Sequence, residues 1–173
     1  MPRFTSWPSL RVRAVKPHQW FVLGAWLAAL AVVNGAFAAH GLEKRLLVIY
    51  QNVPLEDIPN ADFEGLIAKR LHDYETGARY QMYHALGLML LGAVAARRQT
   101  ICGTLAGLAF FLGILLFSGM LYALVLTNRT MLGAIVPIGG VSFIVGWVAL
   151  SFAGMKALRE EPTAVEIAPP SAP

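Results

Sequence analysis

Polar and apolar positions in this chain are sorted into long blocks. Four runs, Trp20–Ala39, Tyr80–Ala96, Ile101–Leu126 and Met131–Met155, contain no Asp, Glu, Lys or Arg. A helix rises about 1.5 Å per residue, so the shortest run reaches roughly 26 Å and the longest roughly 39 Å, against a hydrocarbon core of about 30 Å. The pattern predicts an all-α membrane protein, a four-transmembrane-helix bundle. Between the first two runs, Phe63, Leu66, Ile67, Leu71 and Tyr74 recur at helical spacing, with Glu64, Lys69, Arg70 and Asp73 on other faces. This predicts an amphipathic surface helix between spans 1 and 2, running into the second span. Pro54 and Pro59 separate it from the apolar patch Leu46–Tyr50, which is expected to pack on the same surface. The proline-containing ends, residues 1–19 and 159–173, read as a basic mobile tail and a disordered tail flanking a transmembrane domain over 20–158.

Composition agrees with the blocks. Of the 173 residues, 57% are hydrophobic and 14% charged, against about a quarter charged in a soluble domain. A soluble core of this size could not bury so much apolar surface; lipid can. The net charge of +4 records topology rather than a nucleic-acid partner. Arg3, Arg11, Arg13, Lys16, Arg97, Arg98, Lys156 and Arg159 share one side of a four-span arrangement, and Lys44, Arg45, Lys69, Arg70, Arg79 and Arg129 the other, where the first connection also holds seven acids. Both termini are therefore expected in the cytoplasm. The basic start and Ala36-Phe37-Ala38 leave a cleaved signal peptide as an alternative, and residues 1–42, with four basic residues and no acid, leave an organellar presequence. The apolar run is long for a signal peptide and carries Trp20 and Trp26, which suits an anchored helix. The single cysteine, Cys102, excludes an intrachain disulfide and reads as a small packing residue.

Thirteen of the sixteen glycines lie in the four runs, where small residues let helices approach closely in lipid. Small-xxx-small pairs occur at Ala31/Gly35, Gly35/Ala39, Gly103/Gly107, Ala109/Gly113 and Ser142/Gly146. Pro137, followed by Gly139 and Gly140, predicts a kink or unwound stretch in the fourth span.

The strings GAFAAHG (35–41), ETGARYQMYHALGL (75–88), LFSGMLY (116–122) and PIGGVSFIVGW (137–147), in this order, resemble the YgdD-like family of small membrane proteins, domain of unknown function 423. The resemblance covers roughly residues 20–158. It implies four helices in a bacterial inner membrane, or a mitochondrial membrane for related eukaryotic proteins, and no activity. Against the family pattern, the first connection is long and Val136 stands where a threonine commonly precedes the proline.

With both termini inside, all four strings fall in the outer half of the bundle. Counted along helices, Asn34 lies about 8 Å, His84 about 6 Å and Ser118 about 12 Å from the outer ends of their spans. Gln81 and Tyr122 lie at similar depth, and His40 at the boundary. Polar side chains are costly in lipid and face the bundle interior, so these residues predict a polar cluster and candidate binding site. Glu75 and Arg79, spaced i,i+4, can pair on a helix face, as can Tyr80 and His84. His40 and His84, with Met82 or Met120, could at most share a metal or haem; no HxxxH, CxxC or CxxCH accompanies them. No metal, no cofactor and no catalytic residue is expected, since G-x-S-x-G, HExxH and a phosphate loop are lacking and the spans hold no carboxylates. The expected role is structural, assembly or regulatory, with lipid and a second copy or another membrane protein as partners. The alternative is a channel or carrier for a small solute or ion.

Overall fold

The computed structural model describes residues 15–54, 56 and 62–159, and every regular element among them is helical. Most of the two expected tails, residues 1–14 and 160–173, lies outside the described residues. Helix α1 spans Pro17–Phe37 and begins three residues before the apolar run. Proline at the first helical position loses no bond, because that amide would be unsatisfied anyway, and the Lys16 amide donates to Gln19 Oε1 at 2.8 Å. A π-helical stretch, Ala38–Leu42, joins α1 to α2, Glu43–Tyr50.

Helix α3 runs without interruption over Phe63–Arg97, capped by Asp62, which accepts from the Gly65 amide at 2.8 Å. The expected amphipathic helix does run into the second apolar run, as one continuous element. Its residues form the first half of α3, and their apolar side is taken up by packing: Ile67 and Tyr74 join Leu42, Leu46, Tyr50, Leu124 and Val125 in a buried cluster. The patch 46–50 does meet that side, as the end of α2.

Thr100 caps α4, Ile101–Gly113, by accepting from the Gly103 amide at 3.0 Å. A second π-helical stretch, Ile114–Gly119, leads into α5, Met120–Thr127, which ends where Asn128 turns left-handed at φ 53°. After a 3-10 turn at Thr130–Ala134, α6 covers Val136–Leu158. The Pro137 break therefore lies at the start of α6 and not within it. The fixed φ and missing donor of proline are tolerated in a first turn, and the irregularity sits before it, in the 3-10 turn.

Among the described residues, three helical segments are long and apolar enough to cross a membrane: Pro17–Tyr50, Ile101–Thr127 and Thr130–Ala157. Helix α3, the expected second span, is not one of them. Its polar residues lower its hydropathy, yet it packs against α1, α4, α5 and α6, and Gln81, His84, Leu88 and Leu91 on it are buried. The outer surfaces of α1 and α6 carry the reverse pattern, with Trp26, Val32, Val33, Val141 and Ile144 exposed. An apolar exterior around a polar-bearing central helix is what a lipid solvent selects.

The helices form two antiparallel pairs, α1 with α3 and α4 with α6. In the first pair the contact is glycine to backbone: a methyl group at Gly24 would lie 2.6 Å from the Ala85 carbonyl oxygen, and one at Gly92 2.8 Å from the Phe21 amide nitrogen. Each also opens a small-xxx-small pair, Gly24/Ala28 and Gly92/Ala96. Gly35, which stands in two such pairs, has nothing within 4 Å of an added methyl group. Gly107 and Gly146 accept aromatic faces, Trp20 and Phe110, rather than small residues.

Candidate functional site

The bundle has two apolar cores. One, around Leu88, Leu91, Phe110 and Phe143, fills the half where α1 begins; the other surrounds Tyr50 and Tyr74. Between them lies a polar layer centred on Gln81, which is 2% exposed. Its Nε2 donates to the Leu27 carbonyl at 2.8 Å, and its Oε1 accepts from the Tyr122 hydroxyl at 2.9 Å and from Asn34 Nδ2 at 3.4 Å. Asn34 Oδ1 in turn accepts from the Tyr74 hydroxyl at 3.2 Å. Three elements are tied together: α1 through Leu27 and Asn34, α3 through Tyr74 and Gln81, and α5 through Tyr122. Tyr74 and Tyr122 also stack obliquely, their ring centroids 4.6 Å apart.

Asn34, Gln81 and Tyr122 of the expected cluster are thereby brought together, and Tyr74 is added to them. Tyr74 precedes the uncharged run and sits among charged neighbours, so hydropathy assigned it to a surface; its i,i+7 spacing from Gln81 was the available signal. His84 lies one turn further along α3, buried, with its ring 3.3 Å from that of Phe143 and nearly parallel. Its Nδ1 is 2.7 Å from the Tyr80 carbonyl, which can only accept, so Nδ1 carries the proton. Its ring also stacks on that of Tyr80, at 6.0 Å. Ser118 is fully buried, and its Oγ has no hydrogen-bond partner among the described residues.

Three candidates fall elsewhere. His40 is exposed on the first π-helical stretch and makes no hydrogen bond with the layer. Arg79 is exposed and donates to Thr76 Oγ1 at 3.3 Å; no ion pair with Glu75 forms among the described residues. The i,i+4 spacing allowed that pair, but a nearer hydroxyl one turn back takes the guanidinium. With His40 on the surface and His84 packed against Phe143, the two histidines do not converge, and no three His, Cys, Asp or Glu among the described residues could hold a metal ion.

The polar layer is not sealed. A cavity of about 380 Å³ opens beside it, lined by Leu27, Leu30, Asn34, Tyr74, Gln81, Ile114, Leu115, Gly119, Tyr122 and Leu126. A second, of about 480 Å³, shares Leu126 and continues past Phe37 and Gly41 to Arg45 and Ile49. Together they make a groove between the α1–α2 rod and the α4–α5 rod. Gly41 on one wall and Ile114, Leu115 and Gly119 on the other belong to the two π-helical stretches. The strings around 35–41 and 116–122 thus converge on one groove.

The family model described as "Protein of unknown function (DUF423)" matches residues 34–140. The chain belongs to this family. The matched region runs from Asn34 to Gly140 and so includes every residue of the DUF423 polar layer except Leu27. Among relatives, a UPF0382 membrane protein of Staphylococcus epidermidis is 41% identical over 137 residues, 79% of this chain and 95% of its own length. The UPF0382 membrane protein YwdK of Bacillus subtilis is 42% identical over 140 residues, 80% of this chain and 98% of its own. No solved structure matches.

Proposed function

We propose that this DUF423 chain is a four-span protein of the cytoplasmic membrane, with α3 as the second span and both termini inside. Its role on this reading is structural, assembly or regulatory, and it is exerted by docking a transmembrane helix of a partner protein into the groove beside the polar layer. The observation that carries this is a hydrogen-bonded network opening into a groove whose walls are apolar. Leu30 and Leu115 on those walls are about half exposed. A cavity of about 380 Å³ suits one or two inserted side chains, while Asn34 and Tyr122 offer hydrogen bonds to a polar residue between them. Passage of a solute along the bundle axis is disfavoured by Leu88, Leu91, Ala106 and Phe110, all fully buried. Reporter fusions at the two ends read the orientation.

A photo-crosslinking residue at Leu115, in native membranes, is expected to give a discrete protein adduct. Gly119→Phe should abolish it: Gly119 lines the groove, and a methyl group there would lie 3.8 Å from its nearest neighbour, so a ring can fill the space without displacing the helices. Adducts with lipid alone, or a protein adduct indifferent to Gly119→Phe, would overturn the reading.

A further inference from the structure

Beside the second core, between Ile67 and Tyr74, α3 buries an arginine. Arg70 is 7% exposed, and its Nε has no hydrogen-bond acceptor among the described residues. Its nearest carboxylate among the described residues is Asp73, with Nη1 to Oδ2 at 3.7 Å, and that carboxylate is shared with Lys69 at 3.3 Å. Among the described residues, one negative charge thus faces two positive ones. The guanidinium lies over the Tyr50 ring, its Cζ 5.7 Å from the centroid. A cavity of about 570 Å³ adjoins it, lined by Lys69 and Arg70 together with the polar residues Asn52, Asn128 and Thr130. Asn128 is the left-handed residue that ends α5, so chain reversal at that point brings α5 and the 3-10 turn to the arginine.

A buried cation with an unmatched donor is expensive unless an anion completes it. We propose that this cavity is an oxyanion site for a phosphate group, held by Arg70 and Lys69 with amide and hydroxyl groups around them. The unmatched Nε–H of a guanidinium gives phosphate an oriented, charge-assisted donor, and an ammonium adds an unoriented positive charge. The group can be free phosphate or the phosphate of a lipid headgroup. The site is distinct from the groove: none of the residues that line it lines the groove.

The test is thermal unfolding of the full-length protein in neutral detergent while inorganic phosphate replaces chloride at constant ionic strength, and in parallel in vesicles of phosphatidylglycerol or phosphatidylcholine. Saturable stabilisation by free phosphate identifies the soluble anion. Stabilisation by phosphatidylglycerol over phosphatidylcholine, without a response to free phosphate, identifies the headgroup. Lys69→Gln, at a side chain 66% exposed, keeps the fold and should weaken the response about tenfold. Arg70→Met, close in volume, should abolish it. Phosphate also stabilises proteins by exclusion from their surface, so an equal response in wild type and Arg70→Met overturns the site, as does no response in either medium. Asp57, in the connection between α2 and α3, is the rival anion within the chain. If Asp57→Asn destabilises the protein as much as Arg70→Met and the double variant adds nothing, the partner is internal and the proposal falls.

Discussion

Replacing Gly24 with valine is expected to separate α1 from α3. Even a single methyl group at that position would stand 2.6 Å from the Ala85 carbonyl oxygen and 2.9 Å from the Met89 amide nitrogen. Both are backbone atoms of a helix interior, so no rotamer change relieves the overlap, and the two helices must move apart along their whole contact. Overpacking in a well-filled core typically costs 1–3 kcal/mol and occasionally more. Here the upper end applies, because the displaced pair includes Asn34 and Gln81 further along and their 3.4 Å bond has no slack. Gly35→Ala is the matched control: nothing lies within 4 Å of its added methyl, and alanine favours a helix over glycine by about 1 kcal/mol. Thermal unfolding in detergent, followed by circular dichroism, should show a large loss for Gly24→Val and no loss for Gly35→Ala. Equal loss in both would mean that the α1–α3 crossing does not run through Gly24.

The second large effect is expected at Gln81. Alanine there removes three hydrogen bonds at once and leaves the Leu27 carbonyl, the Tyr122 hydroxyl and the Asn34 amide to find other partners. Interhelical bonds in membranes average about 0.6 kcal/mol each, so Gln81→Ala should cost about 2 kcal/mol before the lost packing is counted. Gln81→Leu retains most of the volume and isolates the polar part. Tyr122→Phe deletes a single bond. Because Tyr122 donates to Gln81, the double variant Gln81→Leu/Tyr122→Phe should be less destabilised than the two singles added together. Strict additivity in that cycle would show that the 2.9 Å contact carries no energy.

The blocks in the sequence gave the helical class, the approximate ends of the apolar segments and the depth of Asn34, Gln81 and Tyr122, because these depend only on hydropathy and on counting along a helix. They did not show which way each helix faces. A helix apolar all round has no preferred face, and lipid rewards leucine as a core does. Gly24 and Gly35 were therefore indistinguishable from spacing, although one meets backbone and the other meets nothing. His40 was misplaced for a related reason. It lies in a π-helical stretch, where angles counted on an α-helix no longer hold. Tyr74 was hidden by its charged neighbours, whereas the continuity of α3 followed from the helical spacing over 63–74 leading into the second apolar run.

The two widened turns at Ala38–Leu42 and Ile114–Gly119 also govern which changes in chain length the bundle can absorb. A turn closed by i→i+5 bonds takes up one residue more than an ordinary one. Losing a residue there lets the turn relax to α-geometry while Leu42, Leu46 and Tyr50 keep their orientation toward the second core. Losing one at Val33 would instead swing them by about 100°. The stretches are the chain's expansion joints: the places where a helix can be shortened by one residue and remain in phase with its neighbours.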